Sequence, residues 1–319
     1  VSRPLWSPSA ERIESRHLTR FAEMAHARYG APGATGNPAG SWAALWRWSI
    51  DERAAFWTAV FEYAAVRADR GITPALERSD EMPGARWFPH MHLNFAENLL
   101  ERRDGHLALV FVNEEGQRRE LSYGALYTAV EQVAGGLAST GVGPGDVVAG
   151  FLPNLPEAVI AMLATASLGA VWTSCSPDFG INGVLDRFGQ VRPKVLFTVD
   201  GYACAGKRIN SLIPIAGVLQ KLESVERTIV VPHLSARPDI TSVPNAIRLE
   251  DFVCDRPLEF VRQPFDAPLF IMYSSGTTGV PKCIVHGAGG TLLQHRKEHL
   301  LHADLGRTTG CSSLRPVAG

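Results

Sequence analysis

The sequence predicts an α/β fold, a layered molecule built on a mainly parallel sheet and preceded by a helical N-terminal region. Three observations carry this prediction. Short apolar runs of strand length recur at Leu107–Val112, Val147–Leu152, Val171–Cys175, Val195–Val199, Thr228–Val231 and Leu269–Tyr273, and they read as buried strands. Amphipathic helical stretches lie between several of them, an alternation that returns successive strands parallel to one another with helices on both faces. Residues 1–95 follow a different pattern, helical and rich in aromatic side chains.

In the N-terminal region the Gly/Pro-rich run Ala31–Gly40 suits a loop. Ser49-Ile50-Asp51-Glu52 has the spacing of a capping box, with Ser as cap and Glu three residues later. Phe56, Val60, Tyr63, Ala64 and Arg67 then share helical spacing, and Gly71 is placed to end the segment. Trp42, Trp46, Trp48 and Trp57 read as packing residues, because no basic patch accompanies them as a base-stacking platform requires.

From Asn94 onward, Ser122 starts a helix whose Leu126, Val130, Val133 and Leu137 share a face, and Gly141 stops it. Pro156 suits the first turn of the next helix, which runs to about Leu168. Between them Gly141–Asp146 places Gly and Pro where a turn into a strand needs them. There is no internal repeat and no low-complexity tract.

With 45% hydrophobic and 20% charged residues the chain has an ordinary globular composition. A net charge of −1 gives no reason to expect nucleic acid or an anionic membrane as partner. No apolar run reaches membrane-span length, and the first residues lack a signal peptide's apolar core, so the expected location is the cytoplasm. The five cysteines are scattered without a CxxC pair, which points to reduced thiols.

The most informative segment is Tyr273–Lys282, YSSGTTGVPK, directly after an apolar strand. A polyphosphate needs donors close to its oxygens and a cation within reach. Gly276 and Gly279 let backbone N–H groups converge without a side chain in the way. Ser274, Ser275, Thr277 and Thr278 add hydroxyls, Lys282 adds the charge, and Pro281 stiffens the exit. The run is not GxxxxGK[ST], since Lys282 follows a proline and no Gly-Lys-Ser/Thr is present. A flexible linker of this composition rarely sits between an apolar strand and the apolar run Cys283-Ile284-Val285.

These ten residues resemble the phosphate-loop signature of acyl-adenylate-forming (AMP-binding) ligases: acyl-CoA synthetases, luciferases and nonribosomal adenylation domains. Lys282–Leu293 (KCIVHGAGGTLL), Leu168–Gly180 (LGAVWTSCSPDFG), Met82–Pro89 (MPGARWFP) and Leu5–Pro8 (LWSP) are more similar to the acetoacetyl-CoA synthetase branch than to acetyl-CoA synthetases. The resemblance covers nearly all of Leu5–Leu305. It implies a region like the acetyl-CoA synthetase N-terminal domain over 1–95, an incomplete adenylation domain over 96–305, and no small C-terminal domain. It further implies a two-step reaction with ATP, Mg²⁺ and CoA. Acetoacetate attacks the α-phosphorus to give acetoacetyl-AMP and pyrophosphate, and the CoA thiol then displaces AMP. By the same resemblance Ser274, Ser275, Gly276, Thr277, Thr278, Gly279 and Lys282 bind the nucleotide. The family's adenylation lysine lies near the C-terminus of complete enzymes and is not Lys282, so no catalytic or metal-binding residue is assigned. Two other readings stand beside this one: a ligase for acetate or another short acid, and a non-catalytic nucleotide-binding fragment.

His295, His299 and His302 fall at i, i+4 and i+7, but Arg296 and Lys297 lie between the first pair and the motif is not H-E-x-x-H. A solvated helix face is the expectation. His286 stands between a phosphate contact and a structural hydrogen bond. Cys175 reads as a strand cysteine, and Ser176-Pro177-Asp178 as a turn that can reach the site. Gly306–Gly319 departs from the family pattern. Read two nucleotides into each codon, Thr309–Gly319 can encode Arg-Leu-Phe-Phe-Thr-Thr-Ala-Cys-Gly-Trp, so a frameshift near residue 305 is expected. Uncovered sheet surface and poor solubility of the chain alone are the further expectations.

Overall fold

The apolar runs become strands in the computed structural model, which describes residues 5–33, 38–69, 71–274, 279–306 and 309–311. The described residues divide into two compact units, one lying within residues 5–92, 264–266 and 289–311, the other within residues 93–263 and 267–288.

The first unit is built on helices α1 (His17–Tyr29), α2 (Pro38–Asp51) and α3 (Arg53–Tyr63). Gly30 ends α1 in the left-handed conformation at φ +66°, the usual helix stop. Pro38 is the first residue of α2, so the helix takes in residues the composition assigns to a loop. The aromatic side chains pack edge to face. Phe21 meets Phe56 at 6.0 Å and Tyr63 at 5.5 Å, and Trp48 meets Phe56 at 5.9 Å. Trp48 is buried and Trp57 packs against that cluster, whereas Trp42 and Trp46 are about half exposed.

The capping box does not form. Ser49 lies inside α2, and its hydroxyl donates back to the Trp46 carbonyl at 2.7 Å. The break falls at Glu52, which leaves helical geometry at φ −110°, ψ 52°. A Ser-x-x-Glu pattern caps only a helix that starts there, and here one arrives from upstream. α3 also ends earlier than Gly71, at Tyr63.

In the second unit a hairpin comes first, β1 (Leu107–Val112) antiparallel to β2 (Arg118–Ser122). It stands outside the main sheet and leaves Leu107, Val110 and Val112 about half exposed, so β1 is not the buried strand its apolar run suggests. Helix α4 (Tyr123–Ser139) starts at Ser122, whose hydroxyl accepts the Ala125 N–H at 3.1 Å. β3 (Val147–Phe151), α5 (Pro156–Ser167), β4 (Val171–Cys175), α6 (Ile181–Val191) and β5 (Val195–Val199) follow. After a small antiparallel pair, β6 (Gly201–Cys204) with β7 (Lys207–Asn210), come α7 (Leu212–Leu219), β8 (Arg227–Val231), β9 (Ala246–Arg248), β10 (Pro268–Ser274) and β11 (Lys282–Gly287).

The main sheet has seven strands in the order β9-β8-β5-β3-β4-β10-β11, parallel except for β11. Leu196, Val230, Ala149 and Phe151 pack with Phe188 of α6 and Ile215 of α7 in one core cluster. Alternate residues of the same strands point the other way, where Trp172 and Phe197 meet at 6.4 Å. Gly150 is required there, because a Cβ would stand 2.7 Å from the Trp172 ring. From β3 the chain moves to β4 on one side, then crosses to β5 on the other. That reversal is a topological switch point, and in open α/β sheets ligands bind outside the carboxyl ends of the strands there. No described helix is long and apolar enough to cross a membrane.

Candidate functional site

The segment singled out from sequence leaves the sheet at this carboxyl edge. β10 lies beside β4 and ends at Ser274, and β11 returns antiparallel from Lys282. Ser274 and Lys282 are register partners, so the two ends of the loop face each other across one ladder position. Ser275, Gly276, Thr277 and Thr278 lie outside the described residues. Gly279 has φ +101°, a conformation that L side chains rarely adopt, and apart from its chain neighbours a Cβ there would meet no heavy atom of the described residues within 4 Å. Lys282 is exposed and has no carboxylate partner among the described residues. The described ends therefore suit an anionic ligand: a hydroxyl, a cation opposite it, and open space beside a glycine.

Beneath the loop entry the strands are bonded through side chains. The Thr173 hydroxyl of β4 lies 2.7 Å from the Ile271 carbonyl oxygen and 2.9 Å from the Tyr273 hydroxyl. With one proton it donates to the carbonyl and accepts from the tyrosine. Burial pushes the Tyr273 phenol above its ordinary range, so it stays protonated and able to donate. The Arg187 guanidinium of α6 lies 4.0 Å from the Phe179 ring centroid and 5.8 Å from that of Tyr273. Arg187 also donates to the Gly183 carbonyl at 2.8 Å.

Ser176-Pro177-Asp178 is a turn. The Tyr202 hydroxyl donates to Asp178 at 2.6 Å and the Ser176 hydroxyl donates to its other oxygen at 2.8 Å. Burial, followed by that bond to Asp178, raises the Tyr202 phenol. Cys175 is buried at the end of β4, and burial pushes its thiol up to about 12, which leaves no thiolate for nucleophilic work. His286 is an exposed residue of β11 opposite Phe270.

The histidine helix changes pitch. α8 (Ala288–Lys297) widens into a π-helical turn at Glu298–His302, which shifts the phase of the i, i+4, i+7 face. His295 and His299 stack at 6.1 Å, and His302 lies 3.6 Å from Glu298. Among the described residues no group of three or more metal-ligating side chains gathers anywhere.

Sequence reading took in Thr173 and Phe179 only as members of the run Leu168–Gly180, with no role assigned, and did not single out Arg187 or Gln190. Phe179 and Arg187 are eight positions apart, and nothing in their types marks a shared site. Only the crossing of β4 and α6 beside β10 brings them together.

The sequence matches the AMP-binding enzyme family over residues 95–308 and the acetyl-coenzyme A synthetase N-terminus family over residues 42–99. It is 44% identical over 309 residues to an acetoacetyl-coenzyme A synthetase of Rhizobium meliloti, covering 96% of this chain and 46% of that protein. To a malonamoyl-CoA synthetase of Penicillium aethiopicum it is 36% identical over 317 residues, covering 94% of this chain and 43% of the relative. The solved acetoacetyl-CoA synthetase from Streptomyces lividans superposes with a TM-score of 0.86 at 42% identity, covering 96% of this chain and 46% of that one. The chain thus spans about half the length of the relatives it matches. It belongs to the AMP-binding enzyme family and is a homologue of the acetoacetyl-CoA synthetases.

Proposed function

We propose that the chain is the nucleotide-phosphate-holding portion of an ATP-dependent acid–thiol ligase whose acid is acetoacetate. The observation that carries this reading is the register pairing of Ser274 with Lys282 at the carboxyl edge of the parallel sheet, in a family defined by AMP binding. The reaction is acetoacetate + ATP + CoA to acetoacetyl-CoA + AMP + pyrophosphate. Ser274, Ser275, Gly276, Thr277, Thr278, Gly279 and Lys282 hold the β- and γ-phosphates. As the carboxylate attacks the α-phosphorus, negative charge moves onto the leaving pyrophosphate. Lys282 and the loop donors neutralise that charge and fix its direction of departure, an electrostatic and positioning contribution. Mg²⁺ accompanying ATP would supply further charge neutralisation. The activity proposed for these residues is ATP binding, to which the loop contributes positioning and charge neutralisation.

A second reading replaces acetoacetate by another short acid. It is supported by the 36% identity to a malonamoyl-CoA synthetase over 94% of the chain.

Titration calorimetry with ATP tests the first reading. Saturable binding is expected, weakened roughly tenfold or more by Lys282→Ala, since a charge-assisted hydrogen bond contributes about 1.5–3 kcal/mol. Equal affinity in the two proteins would remove Lys282 from the site. Pyrophosphate release with ATP and acetoacetate shows whether turnover accompanies binding, and none is expected from this chain; the acids are separated by comparing acetoacetate with acetate in a full-length protein.

A further inference from the structure

α6 touches the phosphate loop at both ends. At the entry, Arg187 packs its guanidinium over the ring of Tyr273, the residue before Ser274, while the ring of Phe179 lies 4.0 Å from the same group. At the exit, the Gln190 side-chain amide donates to the carbonyl of Pro281, the residue before Lys282, at 2.9 Å. Its second amide proton goes to the Asp186 carbonyl one turn back, at 2.5 Å. Arg187 and Gln190 are three residues apart and so share one helix face. The two points contacted on the loop, Tyr273 and Pro281, immediately precede the register partners Ser274 and Lys282.

A hairpin mouth is held by its ladder alone unless something braces it from the side. Here one rigid helix face braces both strands at neighbouring positions. Arg187 has the properties of a brace rather than of a ligand. It is partly buried, its charge lies against two aromatic faces, and its guanidinium donates to the carbonyl of Gly183, four residues back in its own helix. Tyr273 is fixed from its other end by Thr173 of β4, so the ring cannot follow a displaced loop.

We propose that Arg187 and Gln190 are positioning residues of the phosphate loop, which set the separation between the Ser274 hydroxyl and the Lys282 ammonium for a polyphosphate ligand. This rests on the nucleotide reading above. A positioning role matters most for the ligand's β- and γ-phosphates, because those are the groups the loop ends must straddle. Truncating the brace therefore weakens a polyphosphate and leaves a ligand without one unaffected.

The test uses the whole chain in four forms: wild type, Lys282→Ala, Gln190→Ala and the double variant Arg187→Ala/Gln190→Ala. Calorimetry with inorganic tripolyphosphate and with ATP reads affinity, and thermal melting without ligand reads stability. Gln190→Ala is expected to weaken both ligands about two- to fivefold and the double variant about tenfold, the size expected for one neutral hydrogen bond and for that bond plus a cation–π contact. The ligand-free melting temperature of Gln190→Ala should stay at the wild-type value, because that side chain is exposed. If Arg187→Ala lowers stability, the single Gln190→Ala variant carries the test. Wild-type affinity in Gln190→Ala and in the double variant, with Lys282→Ala weakened, overturns the brace and leaves the nucleotide reading intact. A wild-type chain that takes up neither ligand overturns both.

Discussion

At the carboxyl end of β5, Asp200 is buried and accepts three backbone N–H groups, from His233 at 2.8 Å, Leu234 at 3.0 Å and Ser235 at 2.8 Å. It thereby holds the irregular segment that follows β8, which has no ladder of its own to satisfy those donors. Replacing Asp200 with Ala leaves them facing a cavity, and the expected cost is about 2–3 kcal/mol. Asn keeps one acceptor and is expected to cost less. Urea unfolding checks this, and an unchanged midpoint for Asp200→Ala would refute the anchoring role. Nothing in the sequence marks Asp200, whose three partners lie 33 to 35 positions away. The loop residues 274–282 are legible for the opposite reason: their chemistry is local, and a Ser/Gly/Thr run ending in Pro-Lys displays it in one line of sequence.

Helix α1 depends on a residue nearly the whole chain away. Its N-cap, Arg16, makes no side-chain capping bond. Instead Asp304 accepts the His17 N–H at 2.8 Å and pairs with the Arg16 guanidinium through its other oxygen. The Arg16 bond first, and the His17 N–H second, hold the Asp304 carboxyl below its ordinary value of 3.8. A carboxyl depressed in the folded state contributes stability that is present above the unfolded value and lost as pH falls through the folded one. Asp304→Ala should therefore cost about 1 kcal/mol at neutral pH, the size of a lost cap. The partly exposed ion pair adds little to that. The difference between wild type and variant should shrink as pH falls below the unfolded carboxyl value, and vanish once both states are protonated. Denaturant midpoints at neutral pH and across the acid range measure it, and a difference independent of pH would rule out the carboxylate as the cause. The same contrast explains which elements could be read in advance. Ser122 and α4 were legible because cap and stripe are contiguous, and Val171–Cys175 and Val195–Val199 because both faces are buried. Ser49 misled because a local capping pattern is silent about a helix arriving from Pro38.

The order β9-β8-β5-β3-β4-β10-β11 converts these local signals into a site. Alternating strands and helices announce a parallel sheet, but they do not say that β10, some ninety residues after β4 in sequence, inserts beside it. That insertion places the loop at the carboxyl edge. It also leaves β11 as the edge of the sheet, with apolar residues exposed on both its faces, Ile284 at 46% and Val285 at 57%. Ile284 stands opposite Met272, itself 43% exposed, so the apolar surface continues onto β10. An edge strand of this kind has unpaired backbone groups together with apolar side chains, and a second strand satisfies both at once. The expected outcome is concentration-dependent self-association of the chain, measured by sedimentation. Pairing along the edge engages side chains on both faces of β11, whereas burial of a single face engages Ile284 without Val285. Ile284→Lys and Val285→Lys should therefore each shift the equilibrium toward monomer if the edge is the contact, by the same means that natural edge strands avoid pairing. An effect of Ile284→Lys alone would assign the contact to the Met272–Ile284 face. A chain that stays monomeric at every concentration at which it remains in solution would refute both.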